Sequence, residues 1–193
     1  MAAMFSAWID ESGSNQQFDP GTYILSAVVC EHAHVDAIRE VMRMLLVAKR
    51  HRKLHWRDED SSRQHAIAMT IAALEVEHLV VVRSRATTTD HIERQRRLCM
   101  ERFLPELVSM GVGNAVIESR GRRDDQKDRQ TLDNLRRKHA LRGRLHLDHV
   151  GGPAEPMLWI ADACCGAVTQ FRCGDPTHYL LIQPKVTMLE IQP

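Results

Sequence analysis

At 193 residues, with 44% hydrophobic side chains, the chain can bury a sizeable core in one domain spanning residues 1–193. Its formal net charge of +1 excludes a global electrostatic drive toward nucleic acid or membrane, so polyanion binding has to come from local patches. The five cysteines are odd in number and lack paired CxxC spacing, which argues against a disulfide framework or a zinc ribbon and toward a reduced, cytoplasmic setting. With no basic leader and no apolar run of bilayer length, a soluble protein without membrane association is expected.

The first element is the apolar run Met4 to Asp10, a strand that stops on Asp10-Glu11-Ser12-Gly13. It delivers two carboxylates to a strand end, where open α/β sheets bind ligands. A turn-capping role for either acid stays open. After Asp19-Pro20-Gly21, Tyr23 to Cys30 reads as a second strand, paired antiparallel with the first. From Val35, the apolar positions Val35, Ile38, Val41, Met42, Leu45 and Leu46 recur at three and four and predict a helix lying on a sheet.

A basic stretch with an embedded aromatic, Trp56, follows from Lys49 to Arg57 and holds His55. Asp58-Glu59-Asp60-Ser61 then opens another helix, carrying Ile67, Ile71 and Leu74. His78 to Ser84 suits a buried parallel strand. A third helix is predicted from Thr89 or Asp90 to about Met110, where Gly111 stops it.

Asn114 to Arg120 repeats the pattern of the first strand, an apolar run ending in a carboxylate, Glu118. A buried carboxylate calls for a cation or several donors, and Arg120 and a divalent metal are the two candidate partners. Between Arg120 and Arg144, ten Lys or Arg face four Asp, on a helix with a thin apolar stripe of Leu132, Leu135 and Leu141. The pattern predicts a surface helix with a cationic face, and Arg120, Arg122, Arg123, Lys127 and Arg129 are candidate phosphate contacts. Asp124 and Asp128 are secondary candidates beside their reading as helix-start residues.

Leu145 to Val150 alternates as a strand, and Gly151-Gly152-Pro153 breaks the chain before a buried helix from Pro156 to Phe171. Asp162 falls in the middle of that helix, and something must satisfy it. Gly166 and its small neighbours predict close approach of another backbone. Tyr179–Ile182 and Val186–Leu189 are expected to form a terminal hairpin. With the cysteine-rich last helix, this hairpin is a candidate homodimer surface.

Asp10, Glu118 and Asp162 thus come from two strand ends and one helix. If they converge they need a hard cation, Mg2+ or Mn2+, and two such ions would suit in-line phosphodiester displacement. Ile9-Asp10-Glu11-Ser12-Gly13, Leu54-His55, Val116-Ile117-Glu118 and Ile160-Ala161-Asp162 with Gly166-Ala167 resemble the bacterial domain of unknown function 3800 family, in order, over nearly the whole chain. That family looks like a member of the ribonuclease H-like superfamily. The resemblance implies an α/β fold, a mixed sheet flanked by helices, with a two-metal acidic site. In that site Asp10 would bridge the metals and Glu118 and Asp162 would ligate them.

Around these ligands, Glu11 is a further catalytic-site candidate, as a fourth ligand or an acceptor behind the ligands, and His55 a candidate proton shuttle or phosphate contact. The expected activity is metal-dependent nuclease hydrolysis of DNA or RNA. The alternatives are a nucleic-acid-binding or assembly module without catalysis, and a metal-free acid–base pair acting on sugar. The last is disfavoured by an aromatic content of 5%.

Overall fold

The computed structural model describes residues 4–46, 52–85 and 91–191. Six strands form one sheet: β1 (Phe5–Ser12), β2 (Tyr23–Glu31), β3 (Glu77–Arg83), β4 (Val112–Glu118), β5 (His146–Val150) and β6 (Val186–Ile191). Their order across the sheet is β5-β4-β1-β2-β3-β6. β1, β2 and β3 run as an antiparallel meander, while β4 joins β1, β5 joins β4 and β6 joins β3 in parallel. The sheet is mixed, as the sequence predicts.

Among the described residues six helices cover the two faces: α1 (Val35–Met44), α2 (Ser61–Ala73), α3 (Ile92–Ser109), α4 (Arg122–Arg137), α5 (Pro156–Arg172) and the single turn α6 (Tyr179–Ile182). Side chains alternate along a strand, so each strand feeds two cores. Trp8, Ile24, Val28 and Val80 pack with α1, α2, α5 and α6 on one face. Ala7, Ile9, Leu25 and Val81 pack with α3 and α4 on the other. Helix α5 is buried along most of its length, because it presses against β1 and β2 and is itself covered by α1, α2 and α6.

Four expectations need correction. Tyr179–Ile182 is helical, and the last strand pairs alone with β3, so there is no terminal hairpin. β3 is parallel to β6 but antiparallel to β2. Cys164 and Cys165 are buried against the sheet, which removes the last helix as a dimer surface. Gly166 is approached by the Trp56 indole instead of a backbone. The predicted third-helix start at Thr89 or Asp90, and Lys49 to His51 of the basic loop, lie outside the described residues.

All five cysteines are unpaired, as their spacing suggested. Among the described residues no helix is long and apolar enough to cross a membrane.

Candidate active site

Register brings the first two acids together. Ile9 of β1 pairs with Ile117 of β4, so Asp10 and Glu118 stand side by side, one residue further on, at the carboxyl ends of adjacent parallel strands. Asp10 lies two residues beyond Trp8 and Glu118 two beyond Val116, and both of those pack toward α5. Both acids therefore point to the α5 face. Asp162 enters from α5 itself and is 8% exposed.

The electrostatics agree that the three carboxylates meet. Burial is the main cause that pushes the Asp10 carboxyl up to about 8, and the neighbouring Asp162 and Glu118 charges push it further, against opposition from Lys53 and His55. Asp10 accepts one hydrogen bond, from the Glu11 backbone N–H to Oδ1 at 2.8 Å.

The loop after α1 supplies two cations. Lys53 Nζ donates to both oxygens of Glu118, at 2.7 and 2.6 Å. Lys53, and not Arg120, is thus the partner of Glu118. His55 Nδ1 lies 2.9 Å from Asp162 Oδ2, and that bond raises the imidazole pKa. The same oxygen accepts the Trp56 backbone N–H at 2.8 Å. The mid-helix aspartate is satisfied by the loop it faces.

Two glycines make room for these contacts. A Cβ on Gly166 would lie 2.1 Å from Trp56 Cδ1, so the indole sits directly on the bare helix backbone. A Cβ on Gly152 would lie 2.3 Å from Glu118 Oε1 and 2.9 Å from Lys53 Cδ. Side-chain amides complete the support. Gln64 Nε2 donates to the Trp56 carbonyl, Gln170 Nε2 donates to Gln64 Oε1, and His178 Nδ1 meets Gln170 Oε1, each at 2.9 Å.

Glu11 has a different fate. One residue beyond Asp10, it projects to the α3 face, where Arg96 and the Tyr23 hydroxyl hold its carboxylate and Arg120 Nε stands 3.6 Å away. Arg96 grips Asp128 with both arms of its guanidinium, at 2.8 and 2.7 Å, and His149 Nε2 lies 3.1 Å from the same carboxylate. Burial alone would raise the Asp128 carboxyl; the bonds from Arg96 and His149 outweigh it and hold it at about 2. Asp128 is thus part of a buried ion-pair network, although its sequence position suggests a helix start.

The basic helix is partly self-neutralised. Arg120 bonds Glu93 at 2.7 Å, and Lys127 bonds Asp124 at 2.6 Å and Glu93 at 3.1 Å. Arg122, Arg123 and Arg129 are exposed. Asp125 accepts from Ser119 Oγ and the Arg120 N–H, fixing the corner between β4 and α4.

Two recesses open around the acids. One, of about 130 Å³, is lined by Asp10, Glu11, Glu118 and Arg120. The other, of about 330 Å³, is lined by His55, Trp56, Asp162 and Gln170, and Glu11 belongs to the walls of both. Sequence reading missed Lys53, Gly152 and the Gln64–Gln170 pair as parts of the site. The only signal was their place beside quoted residues.

Known structures share this architecture. The chain superposes on one of the PCNA:RNase HII complex from Archaeoglobus fulgidus with a TM-score of 0.57 at 12% identity, covering 93% of this chain and 87% of that one. It matches the ribonuclease H2 from Pyrococcus horikoshii OT3 with a TM-score of 0.58 at 11% identity, over 88% of this chain and 74% of the other. A third match is Bst-RNase HIII in complex with Mn2+, with a TM-score of 0.56, 14% identity, and coverage of 88% and 53%. The fold is ribonuclease H-like. No family model matches the chain, that of the domain of unknown function 3800 family included. No curated protein matches its sequence.

Proposed function

We propose that this chain is a divalent-metal-dependent nuclease, acting on phosphodiester bonds of nucleic acid at the Asp10, Glu118 and Asp162 centre, with residues 1–193 working as one domain. One observation carries the reading: Asp10, buried at a strand end, faces two further carboxylates, so the centre holds more negative charge than its side chains compensate. The ribonuclease names of the structural matches, and the Mn2+ in one of them, support it. So does the resemblance to the domain of unknown function 3800 family.

The donor set fits a hard ion. Carboxylate oxygens select Mg2+ or Mn2+, and such ions bind through one or two carboxylates while keeping water and phosphate oxygens. Asp10 and Asp162 present those oxygens. Among the described residues no group of three or more His, Cys, Asp or Glu stands arranged to hold a metal as it is. Glu118 is engaged by Lys53. When bound, the ion supplies positive charge to the phosphoryl oxygens and lowers the pKa of water.

The chain's own residues do the rest. Asp162 orients His55 through Nδ1, which leaves Nε2 to hold or move a proton at the reacting oxygen. The Trp56 seat on Gly166 keeps that ring in the cavity wall. Arg122, Arg123 and Arg129, at the exposed side of α4, contact backbone phosphates.

The test is a Mn2+ titration by calorimetry on the native chain, Asp10→Asn and Asp162→Asn, beside a cleavage screen over duplex DNA, single-stranded RNA and an RNA–DNA hybrid. Binding and EDTA-sensitive cleavage should be present in the native chain and lost in both variants. A native chain that binds nucleic acid in a salt-dependent way without turnover is instead a binding module, the reading favoured by Lys53 already neutralising Glu118.

A further inference from the structure

The resemblance to the domain of unknown function 3800 family implies two ions at this centre. We infer that the Lys53 ammonium stands in for a second metal ion, so that this site takes a single divalent cation held by Asp10 and Asp162. The inference rests on the metal-dependent reading above and specifies its stoichiometry.

Three observations carry it. First, the Lys53–Glu118 pair is built in. Its two side chains are 20% and 24% exposed, the ammonium meets both carboxylate oxygens, and the pair is seated on the bare backbone of Gly152. A lysine reaching in from solvent would need no glycine beneath it. Second, few carboxylate oxygens remain. Asp10 Oδ1 accepts the Glu11 N–H, and Asp162 Oδ2 accepts the Trp56 N–H and meets His55. One oxygen of each aspartate is left without a hydrogen bond, enough for one ion that completes its shell with water and phosphate. Third, little negative charge is left over. Three carboxylates already face the Lys53 ammonium and the His55 imidazole, so one divalent ion covers what remains. The fourth acid is unavailable, because Arg96 and Tyr23 hold Glu11 on the other face of the sheet.

A second ion would have to take Glu118 away from Lys53 and leave the part-buried ammonium without the carboxylate that it hydrogen-bonds. Lysine also brings something a metal ion lacks, a proton that can be given to a leaving oxygen.

Mn2+ binding to the purified full chain, followed by calorimetry and by the electron paramagnetic resonance of the free and bound ion, tests this directly. The native chain should bind one ion, with no exchange-coupled pair in its spectrum. Glu118→Gln should still bind one ion, more weakly because a negative charge beside Asp10 is gone, since Glu118 is not its ligand. Lys53→Met, which frees Glu118, should bind two ions.

Two ions on the native chain, loss of the ion in Glu118→Gln, or a folded Lys53→Met that still binds only one would each overturn the inference. The first of these leaves the metal-dependent reading standing. Absence of Mn2+ binding to the native chain, with nucleic acid present or absent, overturns both. Should Lys53→Met fail to fold, Glu118→Gln still decides, because it keeps an acceptor for the ammonium.

Discussion

Asp10 and Glu11 are neighbours in sequence and opposites in environment. Strand alternation sends Glu11 toward α3, into a network where Arg96, Tyr23, Asp128 and His149 satisfy one another. It sends Asp10 toward α5, into a centre where carboxylates outnumber cations. The first cluster is closed electrostatically and stabilises the fold. The second is held open by design of its walls, with glycines at 152 and 166 where side chains would otherwise fill space. The difference teaches that acidity at a strand end says little until the face is known. What marks a working site is charge left without a partner.

Breaking the closed cluster should cost most. Arg96→Met leaves Asp128 and Glu11 without their shared guanidinium, and urea unfolding at pH 7 should show a loss of about 3–5 kcal/mol. An unchanged midpoint would mean that the network is not a structural pillar. On the open side, Gly166→Ala drives a methyl into the Trp56 ring and should cost about 1–3 kcal/mol. It should also lower cleavage by releasing the Trp56 N–H from Asp162, which a paired activity and stability assay would separate.

Asp10→Asn should act in the reverse direction. The folded-state pKa of Asp10, about 8, lies above its ordinary value of 3.8, so the unfolded chain ionises first and stability falls as pH rises between those values. Asparagine removes that loss. Metal-free Asp10→Asn should melt at least about 3 °C above the native chain at pH 8 and near it at pH 4. Asp128 gives the opposite sign: its carboxyl at about 2 contributes stability that disappears only as pH falls from about 4 toward 2. The smallest effect is expected on α4. Replacing Arg122, Arg123 and Arg129 with Ser should change stability by less than about 0.5 kcal/mol. It should also flatten the salt dependence of nucleic-acid binding, read by fluorescence anisotropy.

Much of this arrangement was legible in the sequence. Apolar runs ending in Asp10 and Glu118 announced two strand mouths, and Asp162 stood out because an acid inside an apolar helix needs partners. The helix-spaced residues after Val35 placed α1 correctly. Faces were harder. Glu11 follows the first strand as Asp10 does and reads as its companion, although period-two alternation separates them. Arg96, Asp128 and His149 come from three distant segments, and no spacing rule joins them. Lys53 was hidden among other cations of its loop; only the fold shows which one reaches Glu118. The terminal hairpin failed for a related reason. Two short apolar runs around a proline fit a hairpin as well as a helical turn leading to an edge strand, and packing of Tyr179 and Ile182 beneath α5 decides between them.

The placement of β6 has a consequence for how the chain reaches this state. Its partner β3 lies far upstream, with His78 opposite Val186 and Arg83 opposite Ile191. A nascent chain can form the β1–β2–β3 meander early, but the outer rim of β3, with Leu79 to Val82 almost wholly buried in the finished fold, stays bare until residues 186–191 have been made. Unpaired apolar rims recruit strands from other molecules. Truncation before Val186 should therefore yield aggregation during synthesis, with the acid centre on the far side of β1 and β2 never given the chance to assemble.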